Sequence, residues 1–89
     1  MRFVLDGSSV GSREALHRTL AAGLRLPDWY GGNLDALHDC LTDITEPTEL
    51  VIRGGVVLET ALGGYYKALR RVLADCAVEN GAFSVVWED

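Results

Sequence analysis

Three short apolar runs, Phe3-Val4-Leu5, Leu50-Val51-Ile52 and Phe83-Ser84-Val85-Val86-Trp87, lie far apart in a chain of 89 residues, with helical patterns between them. Strands joined by crossovers of a dozen residues or more run parallel, and such crossovers are right-handed. The first run closes at Asp6-Gly7, a turn signal. Ser12 then offers an N-cap, Glu14 stands in the first turn, and Leu16, Leu20 and Leu24 recur at helical spacing, which predicts a helix over about 13–24. Pro27 stops that helix, and Leu26 to Gly32 reads as a loop whose Gly31-Gly32 pair permits positive φ. Asn33 is placed to cap a second helix running to about residue 44. After Pro47 the second strand ends at Arg53-Gly54-Gly55, and Val56 to Leu62 fits either a short helix or a packed loop. From Tyr66 onward Leu69, Leu73, Cys76 and Ala77 line one side of a helix that ends at Asn80-Gly81. The expected fold class is α/β: a three-stranded parallel sheet with helices packed against it. Strands this apolar are expected to be covered on both faces.

The chain is expected to be a single domain over residues 1–89, because domains hold roughly 100 to 200 residues and a second core has no room. With 48% hydrophobic and 24% charged residues, it sits in the globular range and away from disordered chains. No run approaches the roughly 20 apolar residues of a membrane helix. Met1 to Asp6 meets an acid too early for a secretory signal, so a cytoplasmic location without a membrane partner is expected. Cys40 and Cys76 fall on apolar helix positions, where a free thiol behaves as a small hydrophobe, and both are expected reduced. His17 reads as a helix-flank residue at the surface or its edge.

Net charge is −5, and its location says more than its size. Residues 27–52 hold Asp28, Asp35, Asp39, Asp43, Glu46 and Glu49 with no Lys or Arg, which is −6; the other seven acids and eight bases sum to +1. A field this one-sided attracts basic partners and repels nucleic acid, whose binders need a basic footprint.

On a helical wheel of about 100° per residue, Leu34, Leu37, Cys40, Leu41 and Ile44 gather on one side of the second helix. Asp35, His38, Asp39, Thr42, Asp43 and, if the helix reaches it, Glu46 gather on the other. Like charges at i and i+4 each cost roughly 0.2 to 0.5 kcal/mol, and Asp43 sits where the helix dipole favours cations. Local stability did not choose this stripe. The plain alternative is a solvated face, since exposed charges usually contribute little. Against it stand the lack of any base within four positions and two aromatics, Trp29 and Tyr30, on the preceding loop, a combination typical of binding hot spots.

The run Leu26-Pro27-Asp28-Trp29-Tyr30-Gly31-Gly32-Asn33-Leu34-Asp35-Ala36-Leu37-His38-Asp39-Cys40-Leu41-Thr42 resembles the signature loop and helix of the barstar family, intracellular inhibitors of secreted bacterial ribonucleases. The likeness extends more loosely over the whole chain, with residues 53–66 matching poorly. The resemblance implies the parallel sheet described above and a partner-binding edge of Trp29, Tyr30, Gly31, Asn33, Leu34, Asp35, His38, Asp39, Thr42, Asp43, Ile44 and Glu46. It implies that Asp39 takes the place of a substrate phosphate, that Asp35 is a second anchor, that Trp29 packs on the nuclease's catalytic histidine, and that Asn33 caps the helix. It further implies a monomer that binds a basic, guanyl-preferring secreted ribonuclease one to one, without cofactor or metal and without catalysis. Two departures stand out: His38 replaces a usual aromatic, and Gly32 a frequent acid. A contacting acid of the family's long C-terminal helix aligns with Cys76, leaving Asp75 or Glu79 as substitutes.

Two other readings remain open on the sequence. The acidic face would also suit a different basic protein, because carboxylates select cationic clefts in general and shape decides among them. Asp35, His38 and Asp39, at i, i+3 and i+4, are also residue types that bind metals or transfer protons. No HExxH, GxxxxGK[ST] or CxxC accompanies them.

Overall fold

A computed structural model of the chain describes residues 1–88, and Asp89, the last residue of the expected domain, lies outside the described residues. The order is β1 (Arg2–Asp6), a 3-10 turn (Gly7–Ser9), α1 (Arg13–Gly23), α2 (Leu34–Thr42), β2 (Thr48–Arg53), α3 (Gly55–Leu62), α4 (Gly64–Glu79) and β3 (Phe83–Glu88). The three strands pair in parallel in the order β1-β2-β3. The undecided stretch before Leu62 is helical. Gly54 enters it at φ 68°, and a Cβ on Gly7 would stand 2.5 Å from the Gly54 carbonyl oxygen, so the turns after β1 and β2 meet backbone to backbone.

Register decides which side chains face the helices. Phe3, Leu50 and Val85 form one row across the sheet, and Leu5, Ile52 and Trp87 the next. Both rows and Phe83 pack with Leu16 and Leu20 of α1, Leu37 and Leu41 of α2, Leu58 of α3, and Leu69, Leu73 and Cys76 of α4. The alternate residues point the other way. There Val4, Val51 and Val86 form a row flanked by ion pairs Arg2 to Glu49 at 2.9 Å and Arg53 to Glu88 at 2.8 Å. The expectation of two covered faces therefore fails, because the second face sets its valine row between ion pairs and, among the described residues, no helix packs on it.

Ser12 caps α1 through its hydroxyl, which accepts the Ala15 N–H at 3.1 Å. At the other end the Leu26 N–H bonds the Ala21 carbonyl at 3.0 Å, a left-handed closure that places Arg25 at φ 55°. A side chain there costs about 1–2 kcal/mol relative to helical φ, while glycine is free of that penalty but loses more entropy on folding. Arg25→Gly is expected to stabilise the fold by about 1 kcal/mol, roughly a 4–8 °C rise in Tm by thermal unfolding.

α2 lies against α4, and that contact sets where α2 stops. The Asn80 amide donates to the carbonyls of Leu41 at 2.9 Å and Ile44 at 2.8 Å. Meanwhile the Asp43 N–H turns back to the Cys40 carbonyl at 3.3 Å, a tightened last turn. The helix thus ends at Thr42 instead of about residue 44; Asp43 is its C-cap, and Ile44 and Glu46 lie beyond it.

Candidate functional site

Asn33 begins the site. Its side-chain oxygen accepts the Ala36 N–H at 2.8 Å, which fixes the first turn of α2 and puts Asp35 at the favourable end of the helix dipole. Leu37, Cys40 and Leu41 are buried, while Asp35, Asp39 and Asp43 are exposed on the opposite side. At about 1.5 Å per residue the three carboxylates span roughly 12 Å. Among the described residues, no lysine or arginine pairs with Asp35, Asp39, Asp43 or Glu46. The Asp39 side chain is 75% exposed.

This row of acids stands between two open clefts. At the N-terminal end of α2, Gly32 to Asp35 line one of about 370 Å³ with Arg13, Glu14 and Tyr65. At the other end, Asp43 to Glu46 line one of about 510 Å³ with Met1, Leu24, Arg25 and Thr48. Glu46 is therefore exposed at the end of the row, in a loop and not on the helical stripe where projection placed it.

The remaining candidates divide between display and support. Trp29 is 65% exposed, and Gly31 beside it is open to solvent. Gly32, at φ 70°, supplies the left-handed residue that turns the loop into α2. Leu34, Ile44 and Tyr30 pack against the core instead. The Thr42 hydroxyl donates to the carbonyls of His38 at 2.8 Å and Asp39 at 3.2 Å, within the helix.

His38 joins α2 to α4. Its Nε2 is 2.7 Å from Glu79 Oε2, and its Nδ1 is 3.7 Å from Asp39 Oδ1. The Glu79 hydrogen bond, helped by the charges of Glu79 and Asp39, holds the imidazole above the ordinary histidine range. Of the two acids offered as substitutes on α4, Glu79 is the one that bonds α2, through His38.

His17 corrects the sequence reading. It is 4% exposed, not a surface or edge residue. Its Nδ1 is hydrogen-bonded to the Tyr30 hydroxyl and its Nε2 to the Tyr65 hydroxyl at 2.6 Å. Burial holds it below the ordinary histidine range despite Glu14 nearby, and pushes both tyrosine hydroxyls up.

The two histidines load stability in opposite directions. For His17 the folded value lies below the unfolded 6.5, so the unfolded chain takes the proton first and stability falls as pH drops below about 6.5. For His38 the folded value lies above 6.5; its contribution is full below 6.5 and fades as pH rises through the folded value. Urea midpoints followed from pH 5 to 8 are expected to lose the acid-side fall in His17→Gln and the neutral-side decline in His38→Gln.

Cys40 and Cys76 are free and buried, and burial holds both thiols above their usual range, Cys76 up to about 11. Among the described residues no three His, Cys, Asp or Glu side chains converge as metal ligands, so Asp35, His38 and Asp39 do not form the centre that the metal reading needs. None of the helices described is long and apolar enough to cross a membrane.

The parallel sheet, its four helices and the loop leading into an acid-faced α2 together define the class. The chain belongs to the barstar family, whose model, "Barstar (barnase inhibitor)", matches residues 1–88. It is similar to "Putative ribonuclease inhibitor YrdF" of Bacillus subtilis (strain 168), with 37% identity over 89 residues that cover 98% of each chain.

Proposed function

We propose that this protein inhibits a basic, secreted, guanyl-preferring ribonuclease by filling its active-site cleft with the carboxylates of α2. The observation that carries this reading is the row of Asp35, Asp39 and Asp43, exposed and, among the described residues, in no ion pair with a lysine or arginine, with an exposed Trp29 on the loop that precedes it. Membership of a family described as barnase inhibitors, and similarity to a protein named as a ribonuclease inhibitor, support it. A ribonuclease cleft is cationic because it binds phosphodiesters, and a carboxylate held on a rigid helix offers it charge without a scissile bond. Arg meets carboxylate in bidentate, charge-assisted hydrogen bonds, so geometry as well as charge is read. Asp39, at the centre of the row, is the main anchor and Asp35 the second. Trp29 provides an aromatic platform, with Gly31 giving the loop room to approach. Glu79 extends the charged face from α4 through His38.

The protein itself performs no catalysis in this reading and binds one to one as a monomer. A cytoplasmic inhibitor of this kind protects the producing cell from its nuclease before export. A calorimetric titration with guanyl-preferring ribonucleases, paired with an RNA-cleavage assay, tests it. Saturable one-to-one heat with loss of cleavage is expected; no heat and undiminished cleavage across such enzymes overturns it.

A further inference from the structure

The loop that carries Trp29 has little to hold it. Between Leu26 and Asn33 its backbone closes one turn, with the Tyr30 N–H on the Pro27 carbonyl at 2.9 Å. Among the described residues, the only side-chain hydrogen bond from residues 27–32 is that of Tyr30 to His17, Asn33 being engaged with the first turn of α2. The Tyr30 ring packs against the core while its neighbour Trp29 stands in solvent.

His17 in turn is fixed from two sides. Its backbone belongs to α1, and its second nitrogen holds Tyr65 in the first turn of α4. The Tyr30 and Tyr65 rings lie at 5.8 and 5.9 Å from the imidazole, and the Arg13 guanidinium sits 4.4 Å over Tyr65. A neutral imidazole has one N–H and one bare nitrogen, so one tyrosine accepts from the ring and the other donates to it. Both ring nitrogens are used, and among the described residues no buried polar side-chain atom is left without a partner. Three segments distant in sequence thus converge on one buried ring: residue 17, the loop at 30 and α4 at 65.

We infer that His17 is a positioning residue for the partner-binding loop, holding Tyr30 from within so that Trp29 is presented in one fixed orientation beside Asp35 and Asp39. His17 touches no partner in this arrangement and acts through Tyr30. Pre-ordering a loop removes an ordering cost from association, so the hydroxyl-to-imidazole bond raises affinity without adding any contact. The inference rests on the inhibitory role for its binding readout alone; a second readout is independent of any partner.

Tyr30→Phe removes only the hydroxyl and keeps the packed ring, and His17→Gln removes the fork. Each is expected to weaken inhibition of the ribonuclease about tenfold, the scale of one net hydrogen bond. In a Trp29→Ala background the same changes are expected to alter inhibition by less than about twofold, because the residue they position is gone, while their effects on urea midpoint persist. Equal losses in both backgrounds, or no loss in folded variants, overturn the inference. If Asp39→Asn also leaves inhibition untouched, the inhibitory reading itself fails, and the second readout then decides. In protein labelled with 5-fluorotryptophan the two tryptophans, Trp29 and Trp87, give two ¹⁹F resonances. The Trp29 resonance is expected to shift or broaden in Tyr30→Phe and in His17→Gln, with Trp87 unmoved. An unchanged Trp29 resonance in both variants overturns the positioning role whatever the partner is.

Discussion

Asp39→Ala is expected to weaken ribonuclease inhibition by about 30-fold or more while leaving the protein as stable as before, or slightly more so. The binding loss follows from burying a nuclease cation without its counter-charge. Truncating one member of a buried, hydrogen-bonded pair costs about 2–5 kcal/mol or more, and each 1.4 kcal/mol is a factor of ten. The barnase and barstar interface is itself a reference case for couplings of this kind. The stability gain is local. Asp39 stands four residues from both Asp35 and Asp43, each a repulsion of roughly 0.2 to 0.5 kcal/mol, and alanine is the better helix former. Its nearest opposite charge, on His38, is 3.7 Å away and largely engaged with Glu79. Loss of function with gain of stability separates a binding residue from a structural one. Inhibition constants and urea midpoints on the same variant decide it; unchanged inhibition removes Asp39 from the centre of the interface.

How much of this was legible beforehand depended on how far apart the determining residues lie. α2 was readable because its core face repeats at helical spacing and Asn33 caps within three residues. Its end was not, because the group that closes it, Asn80, is 36 residues from Ile44. The same holds for the sheet. Three-residue apolar runs conceal alternation, and only the register shows Arg2 beside Glu49 and Arg53 beside Glu88 on an uncovered face. His17 leaves a trace on the helical wheel. With Leu16 at zero on the wheel, Leu20 falls near 40° and Leu24 near 80°, so His17 at about 100° adjoins the drifting apolar stripe. A histidine in that place is half in the core by position, yet nothing local names Tyr30 and Tyr65 as its partners. His38 is the converse case, since its own helix suggested an acid neighbour but not that Glu79, 41 residues on, would be the closer one.

That redistribution of charge leads to the second large effect. The window of −6 is not the set of acids that the fold gathers around the row. Glu49 leaves it, because it is on β2 paired with Arg2 on the far face of the sheet. Glu79 joins it from α4 through His38. Asp28, Asp35, Asp39, Asp43, Glu46 and Glu79 then form the field around the row, with Arg13 and Arg25 at its two ends but in no ion pair with it among the described residues. One-sided fields of this kind raise association rates by about 10- to 10³-fold, and salt removes the gain as the Debye length shrinks from about 30 Å at 0.01 M to about 3 Å at 1 M. The association rate constant with a basic ribonuclease is therefore expected to fall at least about tenfold between those limits, with dissociation changing far less. Neutralising Asp28, an acid outside the expected contact edge, as Asp28→Asn should lower the rate at low salt and flatten its salt dependence while leaving dissociation near that of the native protein. Stopped-flow association across the salt series is the measurement. A rate indifferent to salt would mean that the carboxylates act only after contact, and that the field over the row plays no part in bringing the partner in.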